Sequence, residues 1–164
     1  MGDANAMRVG LGYDIHRLEP GHGFMLGGVR LACSYGVVAH SDGDVVLHAL
    51  TDALLGATGA GDIGERFPDK DQRHRGRPSH EFVREVLALP ELMPWRVVNL
   101  DVNIIAQQPR LDAHKPAMRV FLAELFRLMP ARVGVKARSN EGLDAIGAAE
   151  AIAAQAVILL EPKR

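Results

Sequence analysis

The chain carries one cysteine, Cys33, in 164 residues. A lone thiol cannot close an intramolecular disulfide, so nothing in the sequence calls for an oxidising compartment. Flanked by Leu31 and Ala32, it reads as a small buried hydrophobe. Charge of one sign is also missing: 19 basic and 20 acidic residues leave a net charge of −1. That balance gives no general electrostatic drive toward nucleic acid or an anionic membrane, although local charge still leaves room for a phosphate-bearing small substrate. No apolar run approaches the roughly 18 residues of a membrane span, and no basic segment followed by an apolar one marks a signal peptide. A cytoplasmic protein is the expectation. What the chain does have is 48% hydrophobic and 24% charged residues, enough for one compact domain over 7–164. Residues 1–6 read as an N-terminal arm or an added remnant ahead of Met7.

Punctuation divides the rest. Val9, Leu11, Tyr13 and Ile15 alternate with Gly10, Gly12, Asp14 and His16, the pattern of a strand. The turn cluster Glu19-Pro20-Gly21-His22-Gly23 predicts a hairpin with a returning strand over Phe24 to Leu31, then a loop through Ser34, Tyr35 and Gly36 to His40. Ser41-Asp42-Gly43-Asp44 supplies N-cap chemistry for a helix from about Asp44 to Thr58. A polar loop spans Asp62 to Arg77. Ser79 is placed to cap a second helix that Pro90 stops, Trp95 to Ala106 reads as a strand, and Met118, Phe121, Leu122, Leu125 and Phe126 mark a third helix. Val133 to Ala137 reads as a short strand. Ala148 to Leu160 is ambiguous, its alanines favouring helix and its Val157-Ile158-Leu159-Leu160 end favouring strand. The interspersed elements suit an α+β sheet with helices packed on one face.

Asp14 and His16 lie two apart on a strand and so point to one side. Carboxylate oxygen and imidazole nitrogen are both good zinc ligands, although an Asp-x-His pair also reads as two exposed polar residues at a strand end. Asp44, His48 and Asp52, four apart on the predicted helix, form one polar stripe. Such a stripe is commonly a solvated face. Here it offers His48 as a third ligand, with Asp44 or Asp52 placed to hold its other ring nitrogen. Three protein ligands leave the open fourth position of a catalytic zinc. The loop Asp62-Ile63-Gly64 with Phe67-Pro68-Asp69-Lys70-Asp71 offers carboxylates to hydroxyls or a hard cation. Ala106-Gln107-Gln108-Pro109-Arg110 and Lys136 to Glu141 follow strands, where backbone groups can read a base, Arg110 can meet phosphate and Glu141 a second cation. His22, His74, His80 and His114 read as solvated, Arg73, Arg75 and Arg77 as a surface cluster, and Trp95 as packing.

Together these motifs resemble the 2-C-methyl-D-erythritol 2,4-cyclodiphosphate synthase family from about Met7 to Leu160. The most specific pieces are Gly12-Tyr13-Asp14-Ile15-His16, the run Ala39 to Asp44 continuing through His48 to Ala57, and Gly61-Asp62-Ile63-Gly64 with Phe67-Pro68-Asp69. The resemblance implies a lyase of isoprene biosynthesis that releases CMP from a cytidyl diphosphate substrate. It implies zinc on Asp14, His16 and His48, and His40 and Ser41 on the methylerythritol phosphate. Asp62, Ile63 and Gly64 would meet the methylerythritol hydroxyls, with Phe67, Asp69 and Asp71 nearby. Ala106, Pro109, Arg110, Leu111 and Asp112, with Arg138, Ser139, Asn140 and Glu141, would cradle cytidine and diphosphate, Glu141 also helping to hold Mg²⁺ or Mn²⁺. His40 and Glu141 join the zinc ligands as expected catalytic residues. The implied subunit is ferredoxin-like, with its terminal segment a strand, in a homotrimer whose sites lie between subunits.

One stretch departs from the family. Its aromatic residue, Gly-Arg-Gly-Glu-Gly run and later glutamate fall on Ala145-Ile146-Gly147-Ala148-Ala149-Glu150-Ala151 and Gln155. With Ala145, Ala148 and Gln155 the axial cavity of the trimer, which in the family can hold an isoprenoid diphosphate, loses its cation and its aromatic wall. Asp144 also replaces a usual glycine. Two rival readings use the same residues: a metal-dependent phosphoesterase giving linear products, and a non-catalytic nucleotide-binding trimer with structural zinc.

Overall fold

The structure, a computed structural model, describes residues 6–68 and 70–163. Asp69 and all but the last residue of the expected arm 1–6 lie outside the described residues. The order is β1 (Arg8–Pro20), β2 (Phe24–Leu26), β3 (Val29–Leu31), β4 (Tyr35–Val38), α1 (Val45–Thr58), α2 (Ile63–Arg66), a 3₁₀ turn (Gln72–His74), α3 (Ser79–Leu87), β5 (Trp95–Ile105), α4 (Lys115–Phe126), a second 3₁₀ turn (Pro130–Arg132), β6 (Val133–Arg138), α5 (Asp144–Gly147) and β7 (Ala151–Pro162). Five strands form one mixed sheet in the order β4-β1-β7-β5-β6. The chain termini meet at its centre, where β1 runs antiparallel to β7 over Arg8↔Leu160 to Arg17↔Ala151. β5 and β6 are parallel, joined through α4, as a parallel pair requires a crossover. The long strands and helices therefore run β-α-β-α-β-β, with β7 inserted between β1 and β5. A ferredoxin-like chain runs β-α-β-β-α-β, so that expectation is corrected while the mixed α+β single domain stands.

Packing explains the alternation of the first strand. Gly10 and Gly12 face α1 so closely that a Cβ on either would lie 1.8 Å from a helix carbonyl, that of Ala53 or Ala49. The helix thus rests on bare strand backbone, and its Leu47, Leu50, Leu54 and Leu55 fill the core with Leu100, Val102 and Ile104 of β5 and Ala154, Ala156 and Ile158 of β7. Met118 and Leu122 of α4 join the same core. On the opposite face, Val9 and Leu11 are 66% and 67% exposed, and Tyr13, Ile15 and Val157 stand beside them in the open.

Three local expectations change, and one open reading resolves to the strand that the resemblance implied. Phe24 to Leu31 does not pair with β1. It folds on itself as the β2–β3 hairpin around Gly27 and Gly28, both at positive φ. The strand that pairs with the end of β1 is β4, in the segment expected to be loop. The reason lies in Asp44: its carboxylate accepts from the backbone N–H groups of Gly27 and Gly28 at 2.8 and 2.7 Å and from Val46 and Leu47 of α1 at 3.1 Å each. It thereby caps the helix and pins the hairpin to it. Ser79 is the first residue of α3 rather than its cap, and the Asp42 carboxylate accepts its N–H at 3.0 Å. The terminal segment is strand from Ala151 to Pro162, preceded by a turn over 148–150, with Ala154 and Ala156 buried in the core beside α1 and Ala153 buried against Ile146. Asp144 adopts φ 56°, a left-handed conformation that glycine takes freely and Asp tolerates. Its carboxylate accepts from Ile146 N–H at 2.8 Å and Asn140 Nδ2 at 2.9 Å, which accounts for aspartate in place of glycine.

Gly12→Ala should lower the unfolding free energy by about 3 kcal/mol, the upper part of the usual overpacking range. Urea denaturation should show a lower midpoint at unchanged slope; an unchanged midpoint would mean that α1 does not rest on the strand.

Candidate metal centre and nucleotide pocket

The closeness of α1 to β1 brings His48 over the two polar residues of the strand. Asp14 Oδ2 lies 2.9 Å from His48 Nδ1 and 3.2 Å from His16 Nε2, and the two ring nitrogens are 3.1 Å apart. Asp14, His16 and His48 form the one group of three metal-capable side chains found among the described residues, with donor atoms within 4.8 Å of one another. Protons alone serve this triangle poorly. With a proton on each ring nitrogen two donors face one another, and with one proton a lone pair faces the carboxylate. A cation inside the triangle satisfies all three donors, so the residues fit a divalent ion of the zinc class.

The far side of His48 is held by hydroxyls. Its Nε2 lies 2.9 Å from Ser79 Oγ and 3.0 Å from Ser41 Oγ. Asp44 and Asp52, expected as its carboxylate partners, are engaged elsewhere. Asp44 points into the hairpin, and Asp52 accepts from Ile63 N–H at 3.1 Å. Burial pushes the Asp44 carboxyl up against the lowering backbone N–H groups of Gly28, Gly27 and Leu47, and burial likewise raises Asp52, helped by the charges of Asp62 and Asp14. The second hydroxyl, Ser79, was legible only as a helix start; its role depends on a contact 31 residues away in sequence.

The other expected residues fall into two groups. His40 Nε2 lies 3.3 Å from the Asp71 carbonyl, and its own carbonyl accepts from Gly76 N–H at 2.8 Å, tying the segment before α1 to the loop after α2. Asp62 caps α2 through Glu65 N–H at 2.8 Å and stays exposed, as does Gly64; Ile63 is half-buried. The Asp71 carboxyl is held well below the usual carboxylate range by hydrogen bonds from Arg73. Phe67 is buried, its ring 4.7 Å from that of Phe82, so its side chain is part of the core. His74 is buried between these two rings rather than solvated, and Arg77 lies over Phe82 while pairing with Glu81 and Glu85.

The second group forms a cavity of about 380 Å³ at the ends of β5 and β6, lined by 106–112 and 137–139. Ala106, Pro109, Arg110, Leu111, Asp112, Arg138 and Ser139 thus meet as the two loops close on one another. Arg110 and Lys115 flank Asp112 at 3.5 and 3.0 Å, and Lys115 chiefly holds its carboxyl low. Asn140 and Glu141 follow at the rim, the Glu141 carboxylate accepting from Ser139 Oγ at 2.6 Å. Glu141 is not a member of the metal-capable triad. Cavity and triad sit toward the same end of the sheet: Ile105 is opposite Ala153 of β7, and His16 is opposite Ile152.

The profile of the YgbB family matches residues 7–161. The chain belongs to the YgbB family. Among similar proteins, 2-C-methyl-D-erythritol 2,4-cyclodiphosphate synthase of Pseudomonas syringae pv. syringae is 49% identical over 154 residues, 94% of this chain and 98% of that one. A solved 2C-methyl-D-erythritol-2,4-cyclodiphosphate synthase in a CDP-bound form superposes with a TM-score of 0.85 at 42% identity, over 93% of this chain and 99% of that one. The Plasmodium falciparum IspF–CDP complex superposes with a TM-score of 0.85 at 33% identity, over 99% and 100%. No helix among the described residues is long and apolar enough to cross a membrane.

Zn²⁺ added to chelator-treated protein should raise the thermal midpoint, by the equivalent of about 2.7 kcal/mol at a hundredfold excess over Kd. His48→Ala should lose both the shift and the bound metal, measured by elemental analysis. Full zinc content in that variant would remove His48 from the site.

Proposed function

We infer that this chain converts 4-diphosphocytidyl-2-C-methyl-D-erythritol 2-phosphate to 2-C-methyl-D-erythritol 2,4-cyclodiphosphate and releases CMP. This is a phosphorus–oxygen lyase step in the non-mevalonate supply of isoprenoid precursors, assigned to the cytoplasm. The observation that carries it is the convergence of Asp14, His16 and His48 in a chain 49% identical to a named synthase along nearly its whole length.

The 2-phosphate of the substrate is already anionic at neutral pH and attacks the outer phosphorus of the diphosphate. The bond to the CMP oxygen breaks, and CMP leaves with that electron pair. No serine nucleophile is required. The barrier is the approach of two anions, so the protein's task is placement and charge compensation. Asp14, His16 and His48 would hold Zn²⁺ and Glu141 would help hold Mg²⁺ or Mn²⁺, and these ions when bound supply positive charge to the diphosphate and to the departing CMP. His40 and Ser41 hold the methylerythritol phosphate. Asp62, Ile63 and Gly64 receive its hydroxyls, with Asp71 and the backbone at Phe67 shaping that side. The 380 Å³ cavity takes the cytidine and its diphosphate: Ala106, Pro109 and Leu111 offer backbone and apolar wall, and Arg110 and Arg138 offer guanidinium groups suited to phosphate. Asp112, Ser139 and Asn140 complete the cradle.

The working form is a homotrimer. A row of exposed Val9, Leu11, Tyr13 and Ile15 beside Val157 is a contiguous apolar sheet face of the kind monomers seldom leave in water. Its occupant is a second and third copy, so that the metal centre of one subunit faces the cavity of the next. Leu11→Lys should therefore turn trimers into monomers in sedimentation equilibrium and reduce turnover at least tenfold. A wild-type monomer that turns over at full rate would refute the assembly.

Phosphorus-31 NMR of the protein with substrate, Zn²⁺ and Mg²⁺ should show a cyclic diphosphate appearing together with CMP. CMP with linear phosphates would instead identify a phosphoesterase. An unchanged spectrum with zinc bound would leave a nucleotide-binding protein.

A further inference from the structure

The hydroxyls behind His48 differ in one respect. The Ser79 side chain is fully buried and donates its single proton to Asp42 Oδ1 in a short hydrogen bond, while Asp42 Oδ2 accepts the Ser79 backbone N–H at 3.0 Å. Asp42 Oδ1 also accepts from Asp44 N–H at 3.2 Å. An ionised carboxylate only accepts, so the serine proton has one place to go. Toward His48 Nε2, 2.9 Å away, Ser79 Oγ then offers only a lone pair. Ser41 Oγ reaches the same nitrogen and accepts from Gly43 N–H at 3.2 Å, but no carboxylate bonded to it fixes its proton.

We propose that Ser79, oriented by Asp42, is a positioning residue that keeps the His48 proton on Nε2 and so leaves the Nδ1 lone pair facing Asp14 and His16. Neutral imidazole carries one ring proton, and the nitrogen without it is the one that can ligate a cation. A partner on the far nitrogen commonly sets tautomer and ring orientation in metal sites. In this chain the partner is a serine whose polarity is imposed by a carboxylate behind it, rather than a carboxylate in direct contact. Asp14 Oδ2, 2.9 Å from Nδ1, competes for the same proton before any ion arrives, and the serine lone pair at the far nitrogen is what opposes it. Its benefit to metal affinity rests on the metal reading of the triad; the tautomer itself does not.

Substitution at Asp42 should release the relay. In Asp42→Asn, the single amide oxygen serves either the Ser79 backbone N–H or the Asp44 N–H together with the Ser79 hydroxyl, which the two carboxylate oxygens now satisfy at once. The serine proton is then no longer fixed on one acceptor and can point at His48 Nε2, which lets part of the imidazole population carry its proton on Nδ1. The logic parallels the serine-protease triad, where an Asp-to-Asn change preserves geometry but holds the wrong histidine tautomer.

The test is two-bond ¹H–¹⁵N correlation of metal-free protein with ¹⁵N-labelled histidine near pH 8. Zinc affinity is measured alongside by chelator competition. Wild type should show His48 with the proton on Nε2. Ser79→Ala should show mixed tautomers and bind zinc about 10- to 100-fold more weakly. Ser79→Thr, which keeps the hydroxyl, should restore both, and Asp42→Asn should show a mixed population with a rise in the Nδ1 tautomer. A wild-type proton on Nδ1, or a Ser79→Ala protein with the wild-type tautomer and affinity, would overturn the proposal. Wild type with the Nε2 tautomer but no zinc binding would uphold the relay and overturn the metal reading alone.

Discussion

The structure depends on a helix lying directly on strand backbone. Gly10 and Gly12 remove the side chains that would otherwise separate β1 from α1, and a Cβ at either would collide with a helix carbonyl. Helices usually stand off a sheet by the thickness of the side chains between them. Removing that layer lets a histidine on the helix reach a carboxylate and an imidazole on the strand within hydrogen-bonding distance. The glycines cost strand stability, and the apolar burial along Leu47, Leu50, Leu54 and Leu55 offsets that cost. Packing and site geometry are therefore one constraint.

A second layer of control comes from the turn before α1. Asp44 turns inward to hold the β2–β3 hairpin and the first turn of the helix, while Asp42, two residues earlier, turns to the start of α3 and to Ser79. Gly43 sits between them at φ 74°, where a left-handed conformation lets the carboxylates diverge. Two segments remote in sequence are thus fixed to the N-terminus of the helix that carries His48. Burial raises the Asp44 carboxyl and backbone donors oppose that shift, as befits an anchor that is desolvated but fully hydrogen-bonded.

The stretch expected to depart from the family borders the cavity rather than the triad. Asp144 takes a left-handed turn and supports it with its own hydrogen bonds, one of them from Asn140 Nδ2 at 2.9 Å. Ala145 and Ala148 flank the same turn, and Gln155 emerges on the open face of β7, where it accepts from Asn103 Nδ2 at 3.2 Å. The turn is thereby tied to the loop that carries Asn140 and Glu141.

The sequence by itself determined the strand of Asp14 and His16, the helix of His48, the capping run Ser41 to Asp44 before it and the loops that line the cavity, because period, punctuation and capping are local properties. It also carried the family, through motifs whose order and separation are printed in the chain. Tertiary structure alone decided the rest. The pairing of β1 with β4 and β7 rather than with Phe24 to Leu31 depends on long-range registers that propensity cannot see. The alanine-rich terminal segment became a strand because its place between β1 and β5 outweighed helix propensity. The partner behind His48 proved to be Ser79 rather than Asp44 or Asp52, because helix spacing says which residues share a face but not which neighbour arrives from another part of the chain.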